Sequence, residues 1–482
     1  MGVTQGTVIK PAGDPVKPFF GMNYFQLLGL FLGPVILLIL WFTPIQGLSV
    51  AARHALGISL MTATWWIFTV MPPVIPALIA CILLMVTGTV PAEKAFSGYS
   101  SASIWMFPFG LIMAQAVDVS GLGKRLVTMV ITSVNLTFGR LIGMFILLCF
   151  AAPFLIPSAV AYVALLMALA VGILDAVGVD KTKRTELSAA LTCFIAIFAL
   201  LMGRIPLTGS VASFIAVGLT KTIAGVEIAW LDWLACMWIA APIPMIATWL
   251  YVTRVYKPEV DISSPAAKEK LMEQRQALGK ISANEIRTAI LVSSALILWI
   301  TGSRTGINTT AVGALVAGML LLPGIGFLTF ENFKKLPWHV FIFGGANFSI
   351  GVVLNDTGFA KWAANYISGL SILSTGNFLV TGFVLIVIVF ILHIILETMA
   401  EISLLTPLLL QANILPAKAI AMLVPYGAGM YIFPYQGTPI ILSLGFGTAT
   451  WSDITKYGFF ISGVIFLQAL LFLAIYWPYA MG

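Results

Sequence analysis

The chain has 482 residues, of which 60% are apolar and only 9% charged. That balance excludes an ordinary soluble enzyme and places the protein among polytopic membrane proteins, with room for about ten spans plus re-entrant pieces at roughly 20 residues for each crossing. The net charge of +7 would suit nucleic acid or acidic lipid in a soluble protein. In a membrane protein the placement of Lys and Arg says more than their sum.

The first 22 residues are polar and rich in Pro and Gly, with no short apolar core before a cleavage site, and read as a cytoplasmic tail. Apolar segments follow at roughly 24–43, 57–71, 72–90, 104–119, 141–171, 186–224, 229–253, 287–303, 309–323, 338–355, 377–411, 415–448 and 457–479. Segments 141–171 and 377–411 are interrupted midway and read as re-entrant hairpins; the other eleven read as crossings. Segment 186–224 is broken at Thr208-Gly209-Ser210-Val211-Ala212-Ser213, and segment 415–448 at Pro434-Tyr435-Gln436-Gly437-Thr438-Pro439. Residues 23–253 and 287–482 then form two membrane halves, and the basic stretch 254–286 is a cytoplasmic linker with a surface helix in PAAKEKLMEQRQALGK.

With the N-terminus inside, 18 of the 25 Lys and Arg fall on the cytoplasmic side, six fall outside, and Arg204 lies within a span. Excess Lys and Arg stay cytoplasmic, so this orientation is favoured, in a cell or inner membrane. The chain also repeats itself. FGLIMAQAVDVSGLGKRL from Phe109 aligns with ANFSIGVVLNDTGFAKWA from Ala346 at a shift of 237, and in each half the matched piece precedes a hairpin and a broken span. Lys124 falls inside and Lys361 outside, which makes the repeat inverted.

The chemistry concentrates at the interruptions. Half-helix ends present amides to anions and carbonyls to cations. Ser158 at the first hairpin, Thr208, Gly209 and Ser210 at the first break, Ser403 just past the second hairpin's tip, and Gln436, Gly437 and Thr438 at the second break are the polar or small positions available to a substrate. Ser213 is a further small polar position, and helix packing by such residues is the competing reading. His393, Glu397 and Glu401 lie four residues apart on one helical face, where they could exchange protons, and the second hairpin tip is placed at Ala400-Glu401-Ile402. Arg204 is a candidate cation for a Glu, through Glu397 or Glu401, or for an anionic substrate. Cys81, Cys149, Cys193 and Cys236 sit in apolar runs and read as core; Trp65, Trp66, Trp477 and Tyr479 read as interface anchors. No phosphate-binding loop or metal-ligand cluster appears, so no cofactor is expected.

Three runs carry a resemblance: TWWIFTVMPPVIPALI, FSGYSSASIWMFPFGLIMAQAVDVSGLGKRL and TKTIAGVEIAWLDWLACMWIAAPIPMIATWLYVTRVYKPE. Over nearly its whole length the chain resembles the divalent anion/sodium symporter family, and particularly its citrate and oxoglutarate/malate carriers. The resemblance implies an all-α, elevator-type secondary transporter, a homodimer in the bilayer, moving di- or tricarboxylates by symport or exchange. It also implies a Ser-Asn-Thr signature at each hairpin tip, which this chain lacks. The first tip keeps only the Ser of Ser158-Ala159-Val160, while Thr208-Gly209 matches the family at the first break. A sodium ion would then lie near Ser158 and Gly209, but the coupling ion, sodium or proton, is open. The expected activity is transport of a small organic anion, with no nucleic-acid partner and no enzymatic step. The alternatives are a carrier of a zwitterionic or cationic solute with Glu401 as counter-charge, and a sensor or channel-like relative that does not transport.

Overall fold

In the computed structural model, which describes residues 21–133, 136–180, 183–373 and 375–482, the described residues form helices and the turns between them, with no strand among them. The tail expected over 1–22 lies, apart from Gly21 and Met22, outside the described residues. Helices α1 (Tyr24–Phe42), α2 (Val50–Ile67), α3 (Val74–Val86) and the short α4 (Ala92–Ala95) open the chain. Helix α1 starts at a reciprocal cap, in which the Asn23 side chain accepts from the Gln26 N–H and the Gln26 side chain from the Asn23 N–H.

The first repeat comprises α5 (Ala102–Ser120), α6 (Leu122–Thr132), α7 (Phe138–Leu155), α8 (Ala159–Ala176), α9 (Glu186–Gly203) and α10 (Val211–Ala224). After α11 (Trp230–Met237) and α12 (Pro242–Val255) comes the linker helix α13 (Pro265–Ala277), where the sequence placed one. Then follow α14 (Ala283–Thr305), α15 (Thr309–Leu321) and α16 (Phe330–Lys334). The second repeat runs through α17 (Trp338–Asp356), α18 (Phe359–Ser368), α19 (Phe378–His393), α20 (Thr398–Ala412), α21 (Ala417–Gly427) and α22 (Thr438–Leu444), and α23 (Trp451–Ile475) and α24 (Trp477–Met481) close the chain.

The aligned motifs fold alike. Helix α5 ends on Gly121 at φ 82° and α6 begins beside it; α17 gives way to α18 through Gly358 at φ 90°. Left-handed backbone there needs glycine, and both copies have one.

Among the described residues, nine helical segments are long and apolar enough to cross a membrane. Two of the nine, α7 and α8, are the arms of the expected first hairpin, so seven of the eleven expected crossings meet this measure, and several of the others are built from shorter pieces. Helices α3 and α15 have 13 residues each, and the breaks split α10 and α21 from their partners.

Burial separates the helices. Helix α9, apolar on every side, is 94% buried, whereas α1 is 11% buried. A helix apolar all round belongs inside protein or lipid, so α9 is the axis of the core and α1 lies at its edge. Helix α10 packs on α20 and α21, while α22 packs on α8 and α9, so each half's broken helix is held by the other half. At the ends of α9 and α23, Arg184 makes paired bonds of 2.9 Å to both carboxylate oxygens of Asp453.

Two sequence readings change here. Trp65, Trp66 and Trp477 are buried, and their indoles donate to the carbonyls of Leu30, Pro73 and Cys236. They are packing residues and not interface anchors, since each indole finds a protein carbonyl. Tyr479, 87% exposed, keeps the expected surface position. All four cysteines are buried.

Candidate functional site

The two interrupted helix pairs turn on capped N-termini. Ser158, the residue before α8, accepts from the Ala161 N–H at 3.4 Å. In the second pair the residue before α20 is Glu397, whose carboxylate accepts from the N–H groups of Met399 and Ala400 at 2.8 and 3.3 Å. Glu397 is thus the counterpart of Ser158. A carboxylate at a helix N-terminus satisfies free amides and suits the helix dipole.

This moves the second tip four residues back from Ala400-Glu401-Ile402 to Leu396-Glu397-Thr398. Helix α20 starts as soon as a side chain can cap it, and Glu397 is that side chain. Glu401 is consequently one turn inside the helix and fully buried, with its Oε2 at 3.0 Å from His393 Nδ1 at the end of α19. Glu401 and His393 form a closed pair behind the tip and do not face the cavity described below. Ser403 is buried as well, its hydroxyl donating to the Met399 carbonyl at 2.8 Å as a local helix contact.

The first break is a single 3-10 turn, Leu207–Gly209, between α9 and α10. A Cβ on Gly209 would lie 2.4 Å from the Gly203 carbonyl oxygen, so the close return of the chain requires glycine. Thr208 is buried and accepts from the Trp230 indole at 3.2 Å. The second break passes through the turn Pro434–Gln436. Gln436 holds it closed: its Oε1 accepts from the N–H groups of Ile432 and Phe433 at 2.7 and 2.6 Å, and its Nε2 donates to the His393 carbonyl at 2.9 Å. Tyr435 donates to the Ile394 carbonyl at 2.6 Å, a second tie between break and tip.

These four pieces surround one cavity of about 360 Å³. Ser158, Thr208, Gly209, Ser210, Gln436, Gly437 and Thr438 all line it, together with Glu397. Of the residues singled out from the sequence, Ser213, Glu401, Ser403, His393 and Arg204 do not. The sequence reading missed Thr398, Tyr162 and Tyr431, which line the wall, with the Tyr431 hydroxyl 3.4 Å from that of Thr398. Locating Glu397 as the capping residue would have pointed to Thr398.

Arg204 makes no carboxylate pair, with Glu397 or with Glu401. It caps α9, is buried, and sends its Nη1 to the carbonyls of Pro425 and Tyr426 in the last turn of α21. Its guanidinium also lies 5.4 Å from the centre of the Tyr426 ring. The helix end and the ring together answer its charge, so a Glu partner is not required.

A cavity walled by two helix tips and two broken helices, within an all-helical polytopic chain, defines a secondary transporter. Residues 25–482 match the model of the sodium:sulfate symporter transmembrane region. The chain belongs to that family, and it is a multi-pass membrane transporter and not an enzyme. It is 24% identical to a membrane protein of Cupriavidus necator over 93% of this chain and 92% of that one. It is 24% identical to the sodium-dependent dicarboxylate transporter SdcS of Staphylococcus saprophyticus, over 91% and 89% of the two chains. It is 26% identical to the chloroplastic dicarboxylate transporter 1 of Spinacia oleracea, over 72% of this chain and 61% of that one.

Proposed function

We propose that the protein carries a small organic anion of the dicarboxylate class across a cell's inner membrane, by ion-coupled symport or by exchange. The observation that carries this reading is the single cavity between the α8 and α20 N-termini and the two breaks. One substrate carboxylate is received at the N-terminus of α8, by Ser158 and the adjacent amides, since helix N-termini attract anions. Relatives named as dicarboxylate transporters, similar over most of the chain, support the substrate class.

The charge distribution supports a cytoplasmic N-terminus and two oppositely directed halves. In that orientation Pro72, Pro73, Pro337 and His339, which line the cavity, belong to its cytoplasmic mouth. A second cavity of about 740 Å³, lined by Lys94 and Lys221, lies toward the outer side and shares only Phe214 with the first. The Phe214 ring meets Phe107 edge-on at 6.3 Å, which makes a thin apolar partition and an inward-facing state. Movement of the hairpins and broken helices past a dimeric scaffold, as in an elevator, would transfer the site between the two sides.

Glu397 favours a second reading. A carboxylate at the second tip already occupies a position where a substrate carboxylate would otherwise bind, so a solute with an anionic and a cationic end also suits the site. Uptake into proteoliposomes, with sodium, proton and counter-substrate gradients applied separately, tests both. The dicarboxylate reading expects saturable uptake of a C4 dicarboxylate, a higher KM in Ser158→Ala, and tighter dicarboxylate binding in Glu397→Gln. Uptake of an amino carboxylate that Glu397→Gln abolishes would select the zwitterion reading. Absence of saturable uptake of either class would refute transport through this cavity.

A further inference from the structure

We propose that Arg204 is a resident cation that takes the place of a coupling ion at the second interrupted helix, so that any ion coupling runs through the first half alone, around Ser158 and Gly209. This rests on the transport reading above. Broken helices in carriers use the carbonyls at a half-helix C-terminus to hold the driving cation. Here that position on α21 is filled by the protein itself. Arg204 donates to the Pro425 and Tyr426 carbonyls, the last turn of α21, and its charge faces the Tyr426 ring.

The fit is made by a missing side chain. A Cβ on Gly429, just past the end of α21, would stand 2.1 Å from Arg204 Nη1 and 2.3 Å from its Cζ. The backbone is bare where the guanidinium arrives. The opposite end of the same arrangement is built with a neutral donor. At the end of α9 it is the indole of Trp233 that donates to the Arg204 carbonyl, at 3.0 Å. Arg204 therefore leaves the first half, across the interface between the repeats, to neutralise the second. Its Nε has no hydrogen-bond partner among the described residues, so it is placed by the carbonyls and the ring and not by a carboxylate.

A resident cation differs from a bound ion in two ways: it cannot leave with the substrate, and it cannot be titrated by the ion concentration. The test uses the full-length protein, purified and reconstituted, with sodium, potassium and guanidinium chlorides as probes. In Arg204→Ala, uptake is expected to fall about ten- to hundredfold, as two buried carbonyls lose a charged donor. Millimolar guanidinium should restore part of it and raise the melting midpoint of the variant, while leaving the wild type unchanged. The sodium activation curve of Arg204→Ala should steepen by about one in Hill coefficient, because the emptied carbonyls can take the ion.

Gly429→Ala guards against a variant that fails to fold. Its methyl displaces the guanidinium without removing it, and it should show the same new response to guanidinium and sodium. Equal guanidinium and sodium responses in wild type, Arg204→Ala and Gly429→Ala would overturn the proposal. The melting arm needs no substrate, so failure of the dicarboxylate reading, seen as absent uptake by the wild type, is separate from failure of this one.

Discussion

Gln436 ties the second break to the second tip, and its replacement by Met should loosen both. The side chain is 1% exposed and makes three hydrogen bonds, two accepted from the Ile432 and Phe433 amides and one donated to the His393 carbonyl. Gln436→Met keeps most of the volume but strands all three backbone groups. Each buried group left without a partner costs about 1–3 kcal/mol, so the sum is roughly 3–6 kcal/mol if solvent from the cavity relieves part of it. Gln436→Glu separates the contributions: it keeps an acceptor for the two amides and sets a carboxylate against the His393 carbonyl. Its loss should fall between wild type and Met. Thermal melting of the purified protein measures the ranking, and hydrogen exchange at the Ile432 and Phe433 amides locates it. Should Gln436→Met melt with the wild type and leave those amides protected, the proposed tie between tip and break is wrong.

Two further predictions address other parts of the site and its support. Gly209→Ala places a methyl 2.4 Å from the Gly203 carbonyl and 2.9 Å from Pro153 Cβ; we expect a loss of about 1–3 kcal/mol or more, seen as a lower melting midpoint, and weak substrate binding. Glu259, in the connector after α12, accepts from the N–H groups of Glu186 and Leu187 at the start of α9. Burial alone would raise this carboxyl, but those amides, with the charge of Arg184, outweigh it and hold the group below its ordinary range. A depressed folded pKa contributes stability above the unfolded value and loses it as pH falls through the folded one. Glu259→Gln should therefore lose about 0.5 kcal/mol at neutral pH and show a shallower acid limb in melting curves, and an unchanged acid limb would refute the tether.

The hairpin and break residues differ in how far sequence reasoning could reach them. Ser158, Thr208 and Gly209 were found because each sits beside a Pro or Gly interruption, where an apolar run cannot stay helical. The match of Gly121 to Gly358 was equally visible, since a left-handed turn leaves few residue choices. Glu401 was misplaced for a related reason. Two carboxylates four apart share a helical face only when both are in the helix, and a cap at Glu397 puts one outside it. Pattern alone offers no means of choosing which of two carboxylates ends a turn.

Composition, the period of the apolar runs and their interruptions determined the membrane class, the repeated order of elements and eight of the residues around the cavity. These are local properties, set by what backbone can remain unbroken and what charge can enter an apolar run. Only the tertiary structure decided which charges meet what: Glu397 faces the cavity, Glu401 closes on His393, and Arg204 answers the carbonyls of α21. Pairings between residues as much as 269 positions apart depend on how the two halves interlock. The free energy of a buried charge is set by the neighbours that fold around it, and not by those beside it in the chain.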